Sequence, residues 1–575
     1  MQLSVLDWSI VGAALGLTLA IGFYVSKRAS ADSASYFLAG RNMPWWLLGG
    51  SMVATTFAAD TPNLVTNIVR SNGVAGNWAW WSLLLTGMLT TFVYAKLWRR
   101  LGVATDVEFY EHRYAGKPAQ FLRGFRALYL GVFFNIMIMA NVTLAAIKIG
   151  TVLFDVSPQM VVLCAGAITV VFSAVGGFLG VLITDMILFV LAMVGSLLAA
   201  YYAVGHPDVG GLSALLSHPN VAGKLSILPD MNDPSQYIPL LLVPLAVQWW
   251  SVWYPGAEPG GGGYVAQRML AAKNENHALG ASALFNVCHY AVRPWPWILV
   301  ALASMVVFPD LESMRVALPN VPGALVQDDL AYSAMLTFLP HGVLGLVAAS
   351  LVSAYVSTIS TSLNWGASYV VNDFYSRFIN PAADGPRQVL VGRIVTVLLM
   401  VVASTLALAL ESAMQAFRLI LTIGAGTGLL FLLRWFWPRI NAWSEISAMV
   451  LSFMVSLFFE FGPFDDLLGW QKLVYSVGLT TVGWVSVTLL TPVTDPAVMD
   501  QFSKRIDIEP GEIKRGLYAA GLSTVAIYGA LFVIGSILYG NYNLAAVLTL
   551  ITVAATAVVI VLYRRDSAHL LIESH

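Results

Sequence analysis

Five ionisable side chains stand deep inside long apolar runs of this 575-residue chain: Asp60, Asp185, Glu258, His289 and Arg293. A charge at membrane depth is costly, so each is a candidate for function. A second signature lies in Ala354-Tyr355-Val356-Ser357-Thr358-Ile359-Ser360-Thr361. At about 100° per residue, Ala354, Ser357, Thr358 and Thr361 share one helical face, and Ser360 borders it. A hard cation such as Na⁺ takes neutral or anionic oxygens, and hydroxyls plus the carbonyls freed by a broken neighbouring helix supply them. Small hydroxyl residues also serve close helix packing or bond back to their own carbonyls, and the pattern alone leaves both readings open.

Two segments carry punctuation that a continuous bilayer helix does not accept. The first runs Ala54-Thr55-Thr56-Phe57-Ala58-Ala59-Asp60-Thr61-Pro62, with a proline and a carboxylate at mid-depth. The second runs Trp253-Tyr254-Pro255-Gly256-Ala257-Glu258-Pro259-Gly260-Gly261-Gly262-Gly263-Tyr264. There two prolines remove amide donors and four consecutive glycines forfeit helix propensity. Non-helical backbone survives at that depth only where protein or a water-filled cavity satisfies it, as in the binding sites of secondary transporters. The breaks lie five helices apart, at matching places in two halves, which points to an inverted repeat with a site at the bilayer midplane. Counting roughly 1.5 Å per residue, Asp185 and the Ser360/Thr361 pair reach similar depth and can share an ion. By the same count Asp60 and Arg293 lie a little outside the midplane and Glu258 near it. Arg293 is then either a strut for a buried carboxylate or a holder of a substrate anion.

Composition fixes the kind of element that must position these groups. Hydrophobic residues make up 58% of the chain and charged residues 11%, against about 25% charged in soluble globular chains. Bilayer is therefore the solvent, and a soluble enzyme is excluded. Lys+Arg 30 against Asp+Glu 31 leave no basic field for nucleic acid. Cys164 and Cys288, both in apolar stretches, exclude a disulfide framework and a cysteine metal site. No GxxxxGK[ST] occurs, so ATP is not the energy source. Windows of about 20 apolar residues, the length a helix needs to cross the hydrocarbon, recur roughly fifteen times. The spacing predicts an all-α integral membrane protein forming one transmembrane domain over 1–575. Its core repeats fall at about 45–204 and 237–435, with peripheral helices at 6–25 and 441–563. Asp7 before the first run and Lys27-Arg28 after it reverse the polarity of a cleavable signal, so this run is the first span. With the N-terminus outside, roughly 23 of the Lys and Arg gather on one face, which is then cytoplasmic together with the C-terminus. Arg113, Arg126, Arg268 and Arg434 are counted there.

Several motifs resemble one family. Tyr36-Phe37-Leu38-Ala39-Gly40-Arg41 followed by Pro44-Trp45-Trp46 is similar to the approach to the second helix of the sodium:solute symporters, which include sodium–glucose and sodium–proline transporters. Gly176-Gly177-Phe178 with Thr184-Asp185, Gln267-Arg268 with Leu270-Ala271-Ala272-Lys273, Leu363-Asn364 with Asp373-Phe374-Tyr375, and Trp435-Phe436-Trp437-Pro438-Arg439 follow in the family's order. The resemblance implies a LeuT-type five-plus-five inverted-repeat bundle with extra flanking helices. By motif position it implies a sodium held by backbone oxygens of Ala54, Phe57 and Ala354 and by the hydroxyls of Ser357 and Thr358. Some members carry a further sodium, and Asp185, Ser360 and Thr361 match its ligands. The chain departs from the family where substrate is held: Leu188 replaces a common Gln, and the Pro-Gly run at 255–263 replaces a polar stretch.

The expected function is a sodium-coupled symporter of a plasma membrane of the bacterial inner-membrane type. It imports a small polar organic solute by alternating access, with no obligatory protein partner. The resemblance makes Tyr264 an aromatic gate beneath the substrate and sets Trp78, Trp80 and Trp81, at the start of the third span, at the border of the pocket. Aromatic faces suit a sugar ring, and Asp60, Thr61, Glu258, His289 and Tyr290 offer hydrogen bonds to its hydroxyls, which favours a sugar or polyol. Arg293 pulls toward a carboxylate or amino acid instead. A transporter-like membrane sensor is the remaining reading.

Overall fold

The computed structural model describes residues 3–29, 37–252, 258–410, 413–464 and 466–572. Tyr36 of the first family motif and residues 253–257 of the second broken segment lie outside them. Among the described residues, nine helices are long and apolar enough to cross a bilayer, and Val5–Ile21, Pro158–Ser173 and Leu421–Leu433 are apolar stretches of further helices. The two punctuated segments and the run at 78–101 fall into shorter pieces and are not among the nine.

The first broken segment is two helices, α2 (Trp45–Thr56) and α3 (Asp60–Asn72), following α1 (Val5–Ala29). Phe57, at φ −87° and ψ 60°, ends α2. Pro62 sits in the first turn of α3, where its missing amide breaks no hydrogen bond. After a divided helical run at 78–101 come α4 (Gly116–Phe154) and α5 (Pro158–Val204), the latter covering the fifth and sixth expected spans. The second broken segment resumes as α6 (Gly263–Ala271). Gly260 and Gly261 take φ of 80° and 88°, where a side chain is strained, so the glycine run makes a turn that other residues resist. The Trp98 indole donates to the Gly260 carbonyl at 2.7 Å and the Gly263 amide to Asp106 at 2.7 Å, which pins this turn.

Beyond it run α7 (Glu275–Val307), α8 (Val343–Ile379), α9 (Gly385–Ala407), α10 (Ala413–Leu433), α11 (Ala442–Phe461), α12 (Gly469–Leu490), α13 (Glu512–Leu538) and α14 (Tyr542–Ile572). Helix α8 is 83% buried over its most apolar window, whereas α14 is 11% buried. The hydroxyl-bearing helix is thus the centre of the bundle and α14 its lipid-facing edge. Helix α5 packs along α8, α1 and α2. The chain entering α2 meets the end of α6 backbone to backbone: the Met43 amide donates to Ala271 O at 3.1 Å and the Lys273 amide to Met43 O at 3.0 Å. Where the chain ahead of the second broken segment crosses α10, Gly424 lies against Val252 and Gly428 against Trp250, so closely that a methyl group at either glycine would overlap backbone. Arg113, Arg126, Arg268 and Arg434, expected on the basic face, are buried struts within the protein.

Candidate functional site

The hydroxyl stripe of α8 divides between two neighbours. Thr358 donates to the Thr55 carbonyl at 2.8 Å, in the last turn of α2 between Ala54 and the helix-ending Phe57. Ser357, about 100° around the helix, turns to α5 instead and donates to Asp185 Oδ1 at 2.6 Å. The other Asp185 oxygen accepts from Ser51 at 2.5 Å. Ser360 bonds back to the Ser357 carbonyl at 3.0 Å, so its hydroxyl proton is spent within α8. Hydroxyls, a backbone carbonyl and one carboxylate converge from three helices at a break, and this all-oxygen donor set suits a hard monovalent cation.

The Asp185 pocket already contains a positive charge. Arg268, on the short helix α6, reaches in with Nη2 at 3.6 Å from Asp185 Oδ2, 2.9 Å from Ser51 Oγ, 3.2 Å from Thr55 Oγ1 and 3.0 Å from Thr361 Oγ1. Its guanidinium lies over the rings of Phe178 and Tyr264, at 5.2 Å and 5.6 Å. Arginine and aspartate are both fully buried. Sequence reasoning missed Arg268 as a site residue, although it forms half of the Gln267-Arg268 motif. Tyr264 sits beneath this arginine, and its own carbonyl accepts from Arg268 Nη1 at 3.3 Å.

A second polar group gathers around Arg293. Its Nη1 donates to Thr56 Oγ1 at 3.1 Å, and Nη2 lies 3.1 Å from His289 Nε2, whose Nδ1 is 3.2 Å from the same threonine. Trp297 and Phe57 flank the guanidinium at 5.3 Å and 6.0 Å. Thr61 donates to the Thr56 carbonyl at 3.3 Å across the break, and Asp60 accepts from Asn141 at 3.1 Å. Neither Asp60 nor Glu258 forms an ion pair with Arg293 among the described residues. Aromatic cover comes from Trp80, which stacks on Tyr290 at 5.9 Å and meets His289 edge-on at 5.6 Å. Trp78 and Trp81, expected beside it, stand behind Trp80. Trp78 packs on Tyr528 of α13 at 5.2 Å, and the Trp81 ring is edge-on to both Trp78 and Trp80, at 5.8 Å and 6.1 Å.

Glu258 is also displaced from the expected group. It pairs with Arg126 of α4, and Arg434 Nη2 stands 3.7 Å from its Oε2. Arg434 in turn lies 3.4 Å from Glu445 and donates to Tyr110 at 3.0 Å. Two arginines that face counting had put at the surface neutralise it inside the protein.

A model of the Sodium:solute symporter family matches residues 36–451. A sodium/glucose cotransporter of Vibrio parahaemolyticus is 26% identical over 512 residues, spanning 86% of this chain and 92% of that protein. A sodium/myo-inositol cotransporter 2 of Bos taurus is 25% identical over 539 residues, spanning 84% and 76%. Among solved structures, a Na⁺-coupled sialic acid symporter in a substrate-bound outward-open state superposes with a TM-score of 0.69 at 20% identity, over 86% of this chain and 99% of that one. The fold is thus the five-plus-five helical bundle of Na⁺ symporters. With helices that break where oxygens converge, and with most of its length matching, the chain belongs to the sodium:solute symporter family and is a multi-pass, sodium-coupled transporter, not an enzyme.

Proposed function

We propose that the protein imports a small neutral polyhydroxyl solute, a sugar or polyol, by coupling it to inward Na⁺ flow across a plasma membrane of the bacterial inner-membrane type. The observation that carries the coupling is the Thr358–Thr55 contact, which ties the central helix to the break in α2. A sodium held there by Ser357, Thr358 and the carbonyls of Ala54, Phe57 and Ala354 bridges the two repeats. That bridge favours the outward-open arrangement and preforms the solute pocket, and loss of Na⁺ to the inside releases it. We assign one sodium per cycle, because Arg268 already gives Asp185 its counter-charge and donates to Thr361, two of the three groups that match a second ion site.

The solute pocket of this reading comprises Thr56, Asp60, Thr61, His289, Tyr290 and Arg293, covered by Trp80. The similarity to sodium/glucose and sodium/myo-inositol cotransporters supports a sugar or polyol. One observation favours a carboxylate instead: Arg293 Nε is buried with no hydrogen-bond partner among the described residues. Uptake by purified protein in liposomes, with and without an inward Na⁺ gradient, separates these readings. D-glucose and myo-inositol accumulate with the gradient under the first, whereas accumulation of amino acids or sugar acids alone overturns it.

A further inference from the structure

Along the outer side of α7, beside the start of α2, runs an open groove of about 540 Å³. A water takes about 30 Å³ of liquid, so the groove has room for a long flexible chain of atoms. Asn276, His277, Gly280, Ala283, Leu284 and Val287 line it and fall within about 120° of one another on the helix. Gly280 and Ala283 keep the floor low. Trp45 of α2 forms a wall, its Cβ 3.1 Å from where a methyl group on Gly280 would stand. Trp45 and Val287 are 44% and 42% exposed, and in a chain whose solvent is bilayer such apolar surface meets acyl chains. From Asn276 to Val287 the helix rises about 16 Å, one leaflet of hydrocarbon.

The polar end of the groove is built for a different group. His277 Nδ1 accepts from the Trp45 amide at 2.9 Å, so the neutral ring carries its proton on Nε2 and keeps one N–H to give. Three cations gather behind it. Lys273 is exposed, and its amide is fixed on Met43 O. Arg99 reaches the carbonyls of Ala272 and Lys273 at 2.8 Å and 3.5 Å, and Arg41 those of Gly102 and Val103 at 2.7 Å and 3.0 Å. None of the three forms an ion pair among the described residues. Burial, and after it the charge of Arg99, hold the Arg41 guanidinium below its usual value, which Glu108 offsets only in part. The acid at the head of α7, Glu275, is already taken by Arg100 at 3.0 Å.

A donor-bearing, positively charged head therefore joins an apolar body one leaflet long. A soluble anion fills the head alone, and a zwitterionic lipid sets its own ammonium against the cations. A lipid with net negative charge satisfies both ends. We infer that this groove binds one anionic phospholipid, with its phosphate at the Lys273 and His277 end and an acyl chain along Gly280 to Val287. The lipid lies on the seam between α2 and α7, the helices that carry Thr56 and Arg293. The inference needs only that the chain spans a bilayer, whichever solute it carries.

Native mass spectrometry of the full chain tests it, with phosphatidylglycerol and phosphatidylethanolamine of the same acyl chains added in equal amounts. One phosphatidylglycerol per chain is expected, retained at least tenfold better than phosphatidylethanolamine. Lys273→Gln should weaken that retention about fivefold, the effect of one basic residue near a headgroup. Ala283→Phe and Val287→Trp each fill the groove and should abolish it. Val287 already faces outward, so the second variant leaves the packed side of α7 intact. Equal retention of the two lipids overturns the site. A preference for phosphatidylglycerol that persists in whichever groove-filling variant folds does so too, because the lipid then sits elsewhere. A dimer mass in the wild type that these variants lose gives the groove to a second copy of the chain and likewise overturns the lipid.

Discussion

Arg268 Nη2 lies 3.6 Å from Asp185 Oδ2 with both side chains sealed from solvent, and the same nitrogen bonds Ser51, Thr55 and Thr361. A guanidinium therefore links α2, α5 and α8 where a second cation would otherwise sit. Sodium-dependent uptake is expected to show a Hill coefficient near one, with one charge moved per neutral solute. A coefficient near two that falls to one in Asp185→Asn overturns the single-sodium assignment. Removing one member of a buried pair strands its partner, so Arg268→Gln is expected to cost about 3 kcal/mol or more in stability. The Arg268→Gln/Asp185→Asn double variant recovers part of that loss, as thermal unfolding in detergent measures.

Sodium affinity is expected to follow the α8 hydroxyls. Losing one of about five ligands without replacement costs more than about 1.4 kcal/mol, a factor of ten. Ser357→Ala and Thr358→Ala should each raise the half-saturating Na⁺ concentration for uptake at least tenfold. Unchanged Na⁺ dependence in both variants refutes the site.

At the solute pocket, Arg293 bonds Thr56 and contacts His289 through separate nitrogens. Arg293→Lys keeps a charge but loses that fork, so solute affinity should fall at least tenfold as the threonine and histidine lose their shared partner. Competition against the transported label then identifies the class. If sugar acids displace it and glucose and inositol do not, the neutral-solute reading is wrong.

A pH effect belongs to the basic face, outside the membrane-spanning segments. Burial raises the Glu111 carboxyl, but hydrogen bonds from Arg377 and Arg123 more than reverse this and hold it below its ordinary 4.5. Glu111 lies 2.5 Å from Arg123 and 2.9 Å from Arg377, so it ties the foot of α4 to the end of α8. A depressed carboxyl gives stability that is complete above its unfolded pKa and disappears as pH falls through the folded one. Glu111→Gln should therefore lower the unfolding temperature near neutral pH, and the difference should shrink as pH falls below the ordinary 4.5. An equal difference at neutral and acidic pH contradicts the linkage.

The breaks were legible because proline, glycine and a mid-membrane carboxylate are each costly in a bilayer helix. Their exact places were less so: Pro62 marks where α3 resumes, while the turn itself falls at Phe57 to Ala59, residues with no breaking tendency. The α8 stripe was legible through its periodicity, since α8 runs unbroken from Val343 to Tyr369. Arg268 was not, because counting residues from the membrane face assumes a regular helix. Helix α6 starts only after the glycine turn and carries its arginine into the core. The partners of Glu258 were hidden for a different reason: Arg126 and Arg434 are distant in sequence, and only the packing of α4 on α10 brings them together.

The two glycines of α10 that admit Val252 and Trp250 leave no layer of side chains between backbones. Side chains let packed elements slide by changing rotamer, and here none intervenes. The Trp250–Val252 stretch and α10 must therefore travel as one body through the transport cycle. A pair of spectroscopic labels bridging them should report a constant separation in every state, a fixed ruler against which the motion of α8 relative to α2 can be measured.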